Sequence, residues 1–240
     1  MEPQAETQAI ARRVADIREA IRRAARRTGR DPSSVRLLAA TKTVDVERLR
    51  AVLGSGVRLF GENRLQEALP KLDALQGQGI EWHFIGRLQR RKVKQVVGRF
   101  ALIHSVESLE LAEEIQRRTQ EAGIRQAVLL EVNVGGEATK GGFAPEEAVR
   151  ALPQLAAMPN VQVLGLMTIP PPTDQPEDAR NYFRLLRELR EAMRAQGGGR
   201  DSFEELSMGM SHDFEVAVEE GATIVRVGTG IFGARPPARG

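Results

Sequence analysis

The sequence predicts an α/β protein: a single (β/α)8 TIM barrel with an extra N-terminal helix. Three observations carry that expectation. Eight short apolar runs alternate with seven helical patterns. The alternation continues to the last residues with no composition break that would mark a second domain. Polar residues or glycines stand at nearly every strand exit, where barrels of this kind build their active face. A doubly wound open sheet is the alternative, and the lack of a GxGxxG run after any strand argues against it.

The extra helix comes first. From Thr7 to Arg27, Ile10, Val14, Ile17 and Ile21 recur at steps of three and four, which makes one apolar stripe. Gly29 and Pro32 stop it. Arg and Glu alternate on its other face, as on a solvated helix surface rather than a membrane or RNA face. Strands are then expected at Val35 to Thr41, Val57 to Phe60, Trp82 to Ile85, Ala101 to His104, Ala127 to Val132, Val163 to Thr168, Glu205 to Met208 and Ile224 to Val227. The intervening helices are expected near Val46 to Leu53, Leu65 to Leu75, Arg90 to Val97, Leu109 to Ala122, Pro145 to Ala156, Pro176 to Arg194 and Asp213 to Glu220. The seventh strand is the weakest signal, being short and preceded by Gly197-Gly198-Gly199. One domain spanning 1–240 is expected, with residues 1–30 packing on the barrel and a disordered tail at 236–240.

Composition narrows the function. The 240 residues are 41% hydrophobic and 28% charged, an ordinary soluble composition. With no cysteine, thiolate metal sites, disulfides and cysteine nucleophiles are excluded. His83, His104 and His212 show no metal-ligand spacing, so no metal site is expected. A net charge of +3 does not call for nucleic acid. No apolar run approaches a membrane span and the polar start lacks a signal-peptide core, so a cytoplasmic protein without a membrane partner is expected.

Lysine is scarce here: arginine supplies most of the positive charge, and only Lys42, Lys71, Lys92, Lys94 and Lys140 carry an amine. Lys42 ends the first strand. An arginine there could supply charge but could neither form an imine nor lose a proton. A strand-end lysine snorkelling to solvent is the simpler alternative. Across the barrel seam, Ser211 precedes a helix as an N-cap would, and Gly228-Thr229-Gly230 follows the eighth strand. Barrels often hold phosphate at that place, on backbone N–H groups and hydroxyls such as those of Ser211 and Thr229. An ordinary cap and glycine turn explain the same residues. Strands one and eight are neighbours in a closed barrel, so a phosphorylated aldehyde could bond to Lys42 and be anchored at Ser211, Gly228 and Thr229. Pyridoxal 5'-phosphate fits that description. Arg226 shares a strand face with Gly228, and inside a barrel it needs a partner. A pyridine nitrogen is one it could donate to, and a guanidinium would leave that nitrogen unprotonated.

The runs Ala40-Thr41-Lys42-Thr43, Phe60-Gly61-Glu62-Asn63, Trp82-His83-Phe84-Ile85-Gly86, Gly165-Leu166-Met167, Leu206-Ser207-Met208-Gly209-Met210-Ser211 and Arg226-Val227-Gly228-Thr229 closely resemble the pyridoxal phosphate homeostasis proteins. Those resemble the N-terminal barrel of alanine racemase. The resemblance implies that Lys42 is the Schiff-base lysine, that Ser211, Gly228 and Thr229 hold the phosphate, that Arg226 faces the pyridine nitrogen, and that Asn63 and Met208 lie beside the ring. It also implies a role in vitamin B6 homeostasis. Arg87 and Arg91 replace the proline and the asparagine of the Pro-Leu-Gln-x-Asn-Lys pattern usual after Gly86, and Arg64 stands where tyrosine is common.

Racemases and decarboxylases of this barrel class need a second acid or base. The chain has no cysteine, and its one tyrosine, Tyr182, falls in an outer helix. A non-catalytic carrier of the cofactor is therefore expected, with no catalytic residue. A weak amino-acid racemase is the alternative, and RNA binding by the basic stretch Arg87 to Arg99 is a third reading. The expected partners are the cofactor and enzymes that require it, and a monomer is expected.

Overall fold

The computed structural model describes residues 3–137, 139–196 and 203–233. The strands close into one parallel barrel in sequence order: β1 (Arg36–Ala40), β2 (Leu59–Glu62), β3 (Glu81–Phe84), β4 (Leu102–Val106), β5 (Gln126–Glu131), β6 (Val161–Met167), β7 (Glu205–Ser207) and β8 (Ile224–Val227). The helices are α1 (Pro3–Arg27), α2 (Val46–Gly54), α3 (Leu65–Ala74), α4 (Val93–Val96), α5 (Leu109–Ala122), α6 (Pro145–Ala156), α7 (Arg180–Ala195), α8 (Phe214–Glu219) and α9 (Thr229–Phe232). The Gly197-Gly198-Gly199 loop and the tail 236–240 lie outside the described residues.

Local chemistry accounts for the boundaries. The α1 stripe is buried at Ile10, Val14, Ile17 and Ile21, and Gly29 leaves the helix at φ +69°. Asp45 caps α2 by accepting from the Arg48 N–H, and Ser108 caps α5 by accepting from Leu111. Gly123 closes α5 in the left-handed region. Pro145 opens α6, and the Ala144 N–H donates back to Glu147 Oε2 at 3.0 Å.

The expected strand Val57 to Phe60 runs instead from Leu59 to Glu62. Its register is set by both neighbours: Leu38 faces Leu59 on one side, and Glu62 faces Phe84 on the other. Val57 is buried in the approach to the strand. The expected helix from Arg90 splits into a 3-10 turn over Arg90–Lys92 followed by α4. Val93 and Val96 are buried there, which turns this basic stretch inward along its apolar edge. A 3-10 turn at Pro176–Ala179 also precedes α7.

Two apolar cores result. The larger lies between helices and strands. The smaller is a separate cluster of Leu38, Leu59, Leu102, Leu129, Met167 and Ile224 on the barrel strands. Each such side chain stabilises the fold by about 1.5–3 kcal/mol relative to leaving it in water. Toward the strand C-termini this apolar layer gives way to polar side chains, and that change of character defines the site.

Candidate functional site

Lys42 lies two residues beyond the end of β1, half-buried. Its neighbours are held firmly. The Thr41 N–H donates to Gly61 O at 2.9 Å, and the Thr41 hydroxyl lies 3.1 Å from the same oxygen. The same hydroxyl is 2.5 Å from Glu62 Oε1. Lys71 Nζ donates to Thr41 O and to Glu62 Oε1, each at 2.7 Å. On the other side Thr43 adopts φ +61°, a left-handed conformation that costs a β-branched residue about 1–3 kcal/mol. Its N–H donates to Glu67 Oε2 at 2.9 Å. The backbone around Lys42 is thus fixed by a buried ion pair behind it and a strained residue after it.

The seam between β1 and β8 brings the other candidates to the same place. Leu38 pairs with Arg226 and Ala39 with Val227. Gly228 follows directly, and a Cβ added there would stand 3.4 Å from Ala40 O. Ser211 does not cap the helix after it, contrary to the sequence expectation. Asp213 holds the cap position of α8 and its carboxylate accepts from the Met210 N–H at 2.7 Å. The Ser211 hydroxyl instead accepts from the N–H groups of Gly228 and Gly230, at 3.2 and 3.1 Å. It ties the loop after β7 to the turn after β8 and keeps its own O–H available to donate. Two of the amides expected to meet phosphate directly are therefore already bonded to Ser211. The turn continues as α9, too short to leave a periodic signal; Ile231 and Phe232 donate to Gly228 O. Thr229 is exposed at the lip.

Arg226 is buried in the barrel interior, two residues after Ile224. One Nη donates to Ser207 Oγ at 2.6 Å and the other to Thr168 O at 2.8 Å. Burial pulls its pKa down to about 10, with Glu131 and Asp213 acting the other way. The guanidinium remains charged at neutral pH, and its remaining N–H groups are donors. Met208 is fully buried, and its N–H donates to Ile224 O. Asn63 Oδ1 is a buried acceptor with no hydrogen-bond partner. Gly86 lets the backbone of Asn63 approach: a Cβ on Gly86 would stand 2.1 Å from Asn63 O.

These features fit pyridoxal 5'-phosphate. An amine, an amide oxygen without a hydrogen-bond partner, a fixed guanidinium and a serine hydroxyl belong to the strand ends and the turns after them, a set of groups compatible with its aldehyde, ring and phosphate.

Reading the sequence missed several supporting residues. Glu62 and Lys71 form the pair behind Lys42, and the scarcity of lysine that singled out Lys42 applies equally to Lys71. His83, His104, Ser207 and Thr168 are also buried, and Ser207 Oγ and Thr168 O accept from Arg226. Their alternation with apolar strand residues was the available signal. Among the described residues no cluster of histidine and acidic side chains could hold a metal ion, and no helix is long and apolar enough to cross a membrane.

A closed eight-stranded barrel with a lysine at the end of β1 and this β8 turn defines a class, and sequence comparison agrees. The profile of the family described as "Alanine racemase, N-terminal domain" matches residues 13–236. The "Pyridoxal phosphate homeostasis protein" of Aquifex aeolicus is 52% identical over 223 residues, covering 93% of this chain and 97% of that protein. The protein of the same name from Pseudomonas aeruginosa is 42% identical, covering 94% and 96%. The solved structure of PipY from Synechococcus elongatus PCC7942, with PLP bound, superposes with a TM-score of 0.80 at 35% identity, covering 93% of this chain and all of that one. The chain belongs to the pyridoxal phosphate homeostasis protein family.

Proposed function

We propose that this chain binds pyridoxal 5'-phosphate, holds it as a Schiff base on Lys42, and serves intracellular vitamin B6 homeostasis as a cofactor carrier rather than an enzyme. The observation that carries this reading is the β1–β8 seam. The strand that leads to Lys42 is paired residue for residue with the strand bearing Arg226, and Gly228 lies against Ala40. Bound there, the cofactor supplies an aldehyde and an electron-withdrawing ring. The protein supplies the amine of Lys42, a phosphate anchor at Ser211 and Thr229 with Gly228 giving close approach, a donor to the ring nitrogen at Arg226, and flanking contacts from Asn63 and Met208.

The carrier reading rests on what surrounds the ring. Arg226 is a donor that does not readily give up its proton, so it leaves the ring nitrogen unprotonated and the ring a weaker electron sink. Tyr182 stands on α7, an outer helix, packed against the shell between helices and barrel. With no cysteine in the sequence and its one tyrosine on that outer helix, neither residue type supplies a second acid or base for a substrate proton. One domain, a monomeric state, a cytoplasmic location and delivery to enzymes that need the cofactor belong to the same proposal.

The test is an absorbance spectrum of purified protein with added pyridoxal 5'-phosphate, before and after borohydride, followed by peptide mapping. A yellow band that borohydride removes, with the modification on Lys42, supports the reading. A band that persists in Lys42→Ala, or a modification on another lysine, overturns it. Steady alanine racemisation that disappears in Lys42→Ala would replace the carrier with the enzyme.

A further inference from the structure

The barrel interior contains a hydrogen-bonded chain that crosses it from one face to the other. Starting at the cofactor side, Arg226 donates to Ser207 Oγ at 2.6 Å. Ser207 Oγ lies 2.9 Å from His104 Nδ1, His104 Nε2 lies 2.8 Å from His83 Nδ1, and His83 Nε2 lies 2.7 Å from Glu81 Oε1. Both rings are fully buried, whereas the Glu81 side chain is 48% exposed. Glu81 lines a cleft at the N-terminal ends of the strands, together with Arg18, Arg36 and Arg58.

Valence fixes the direction of every bond in this chain when the two rings are neutral. A guanidinium only donates and a carboxylate only accepts. Glu81 therefore takes the His83 Nε2–H, which makes His83 Nδ1 an acceptor. His104 must then donate from Nε2, so its Nδ1 is an acceptor and Ser207 donates to it. The Ser207 oxygen is left to receive Arg226. All the bonds point one way, from the cofactor site to Glu81.

We propose that His83 and His104 are positioning residues of the cofactor site, forming with Ser207 a one-way relay that locks the Arg226 guanidinium and takes up a proton as a single unit. The bearing on cofactor binding rests on the function proposed above; the relay itself does not. A proton reaching Ser207 from the pocket would send the Ser207 hydroxyl proton to His104 Nδ1, and the His104 Nε2 proton to His83 Nδ1. His83 would end as the cation beside Glu81. Ser207 would keep one proton, now accepting from both His104 and Arg226, and the hold on Arg226 would slacken. The charged groups facing the pair set how readily this occurs. Glu81 and Glu205 favour the added charge, while Arg36 and Arg226 oppose it. Burial opposes it most, holding His83 below the usual histidine range and His104 well below it.

The test begins with nitrogen-15 NMR of both rings in cofactor-free protein from pH 8 downward, which needs no variant. At pH 8 both rings should be protonated on Nε2 alone. On acidification His83 should gain its second proton in the same step in which His104 changes from Nε2–H to Nδ1–H. A ring protonated on Nδ1 at pH 8, or two independent titrations, overturns the relay. The second arm measures pyridoxal 5'-phosphate affinity by absorbance. Asparagine can offer Ser207 an amide oxygen near the place of Nδ1, and leucine cannot. His104→Leu should weaken binding by about tenfold, the scale of one lost hydrogen bond to a charged group's partner. His104→Asn should recover most of that loss. Equal loss in both variants overturns the positioning role. Wild-type protein that shows the relay by NMR yet binds no cofactor would sink the functional reading alone.

Discussion

Lys71 Nζ stands 2.7 Å from Glu62 Oε1, and both side chains are almost fully removed from water. The pair also bonds Thr41, the residue before Lys42. Removing the amine would strand a carboxylate whose pKa burial already raises. Lys71→Met should destabilise the protein by about 3–5 kcal/mol in urea unfolding, as for other buried pairs broken on one side. Adding Glu62→Gln should recover part of that loss. An additive double variant would show that the two residues act separately.

Acid should weaken the fold in a window set by histidine. Burial depresses both His83 and His104 below the ordinary value of 6.5, so the folded state keeps them neutral. The unfolded chain binds those protons below that value. Their stabilisation is full above pH 6.5 and falls as pH drops, by about 1.4 kcal/mol per unit for each ring that stays neutral. Glu62 and Glu131, both raised by burial, act with the opposite sign as pH rises through the carboxylate range. Comparing wild type with His104→Asn between pH 7 and 5 isolates the histidine share. Parallel stability curves would contradict it.

Phosphate should matter to binding. A ligand that binds only the folded state adds about 2.7 kcal/mol at a hundred times its Kd. Pyridoxal 5'-phosphate should therefore raise the melting temperature more than pyridoxal does, and Ser211→Ala should narrow the difference. Equal shifts from the two compounds would rule out an anchor at Ser211 and Thr229.

The approach of Gly86 to Asn63 leaves no space for a methyl group, since the carbon would meet backbone rather than a flexible side chain. Gly86→Ala should cost about 1–3 kcal/mol through overpacking. It should also weaken cofactor binding, because Asn63 and the end of β2 must move. Unchanged stability and unchanged affinity would show that the β2–β3 exits play no part in the site.

Much of this was legible in the residue order, and the limits have physical causes. The α5 and α6 boundaries coincide with expectation because caps and a closing glycine mark them in sequence. β2 was misplaced by two residues because Val57 and Leu59 are equally apolar, and only pairing with β1 and β3 decides between registers. Lys42 and Arg226 stood out because their chemistry is unusual for their positions. Sequence spacing offers the Ser211 hydroxyl a local cap or a phosphate because it reports neighbours along the chain, whereas its partners lie in the turn after β8. Residue spacing speaks to His83 and His104 only as metal ligands. Their role depends on which side of two adjacent strands faces inward, and that is a property of the closed sheet.

Arg13 on α1 reaches Ile231 O, 218 positions away, and Arg30 reaches Val218 O and Ala222 O. These contacts bind the opening stretch of sequence to the final strand unit, across the seam where the cofactor is proposed to sit. Such distant pairings form slowly, because the intervening loop must close before they contribute. The proposed pocket then lies at one end of the closing joint of the ring. A molecule bridging that joint would act as its clasp, making the ring harder to open, and occupancy would be readable in hydrogen exchange at β1 and β8 before any other strand.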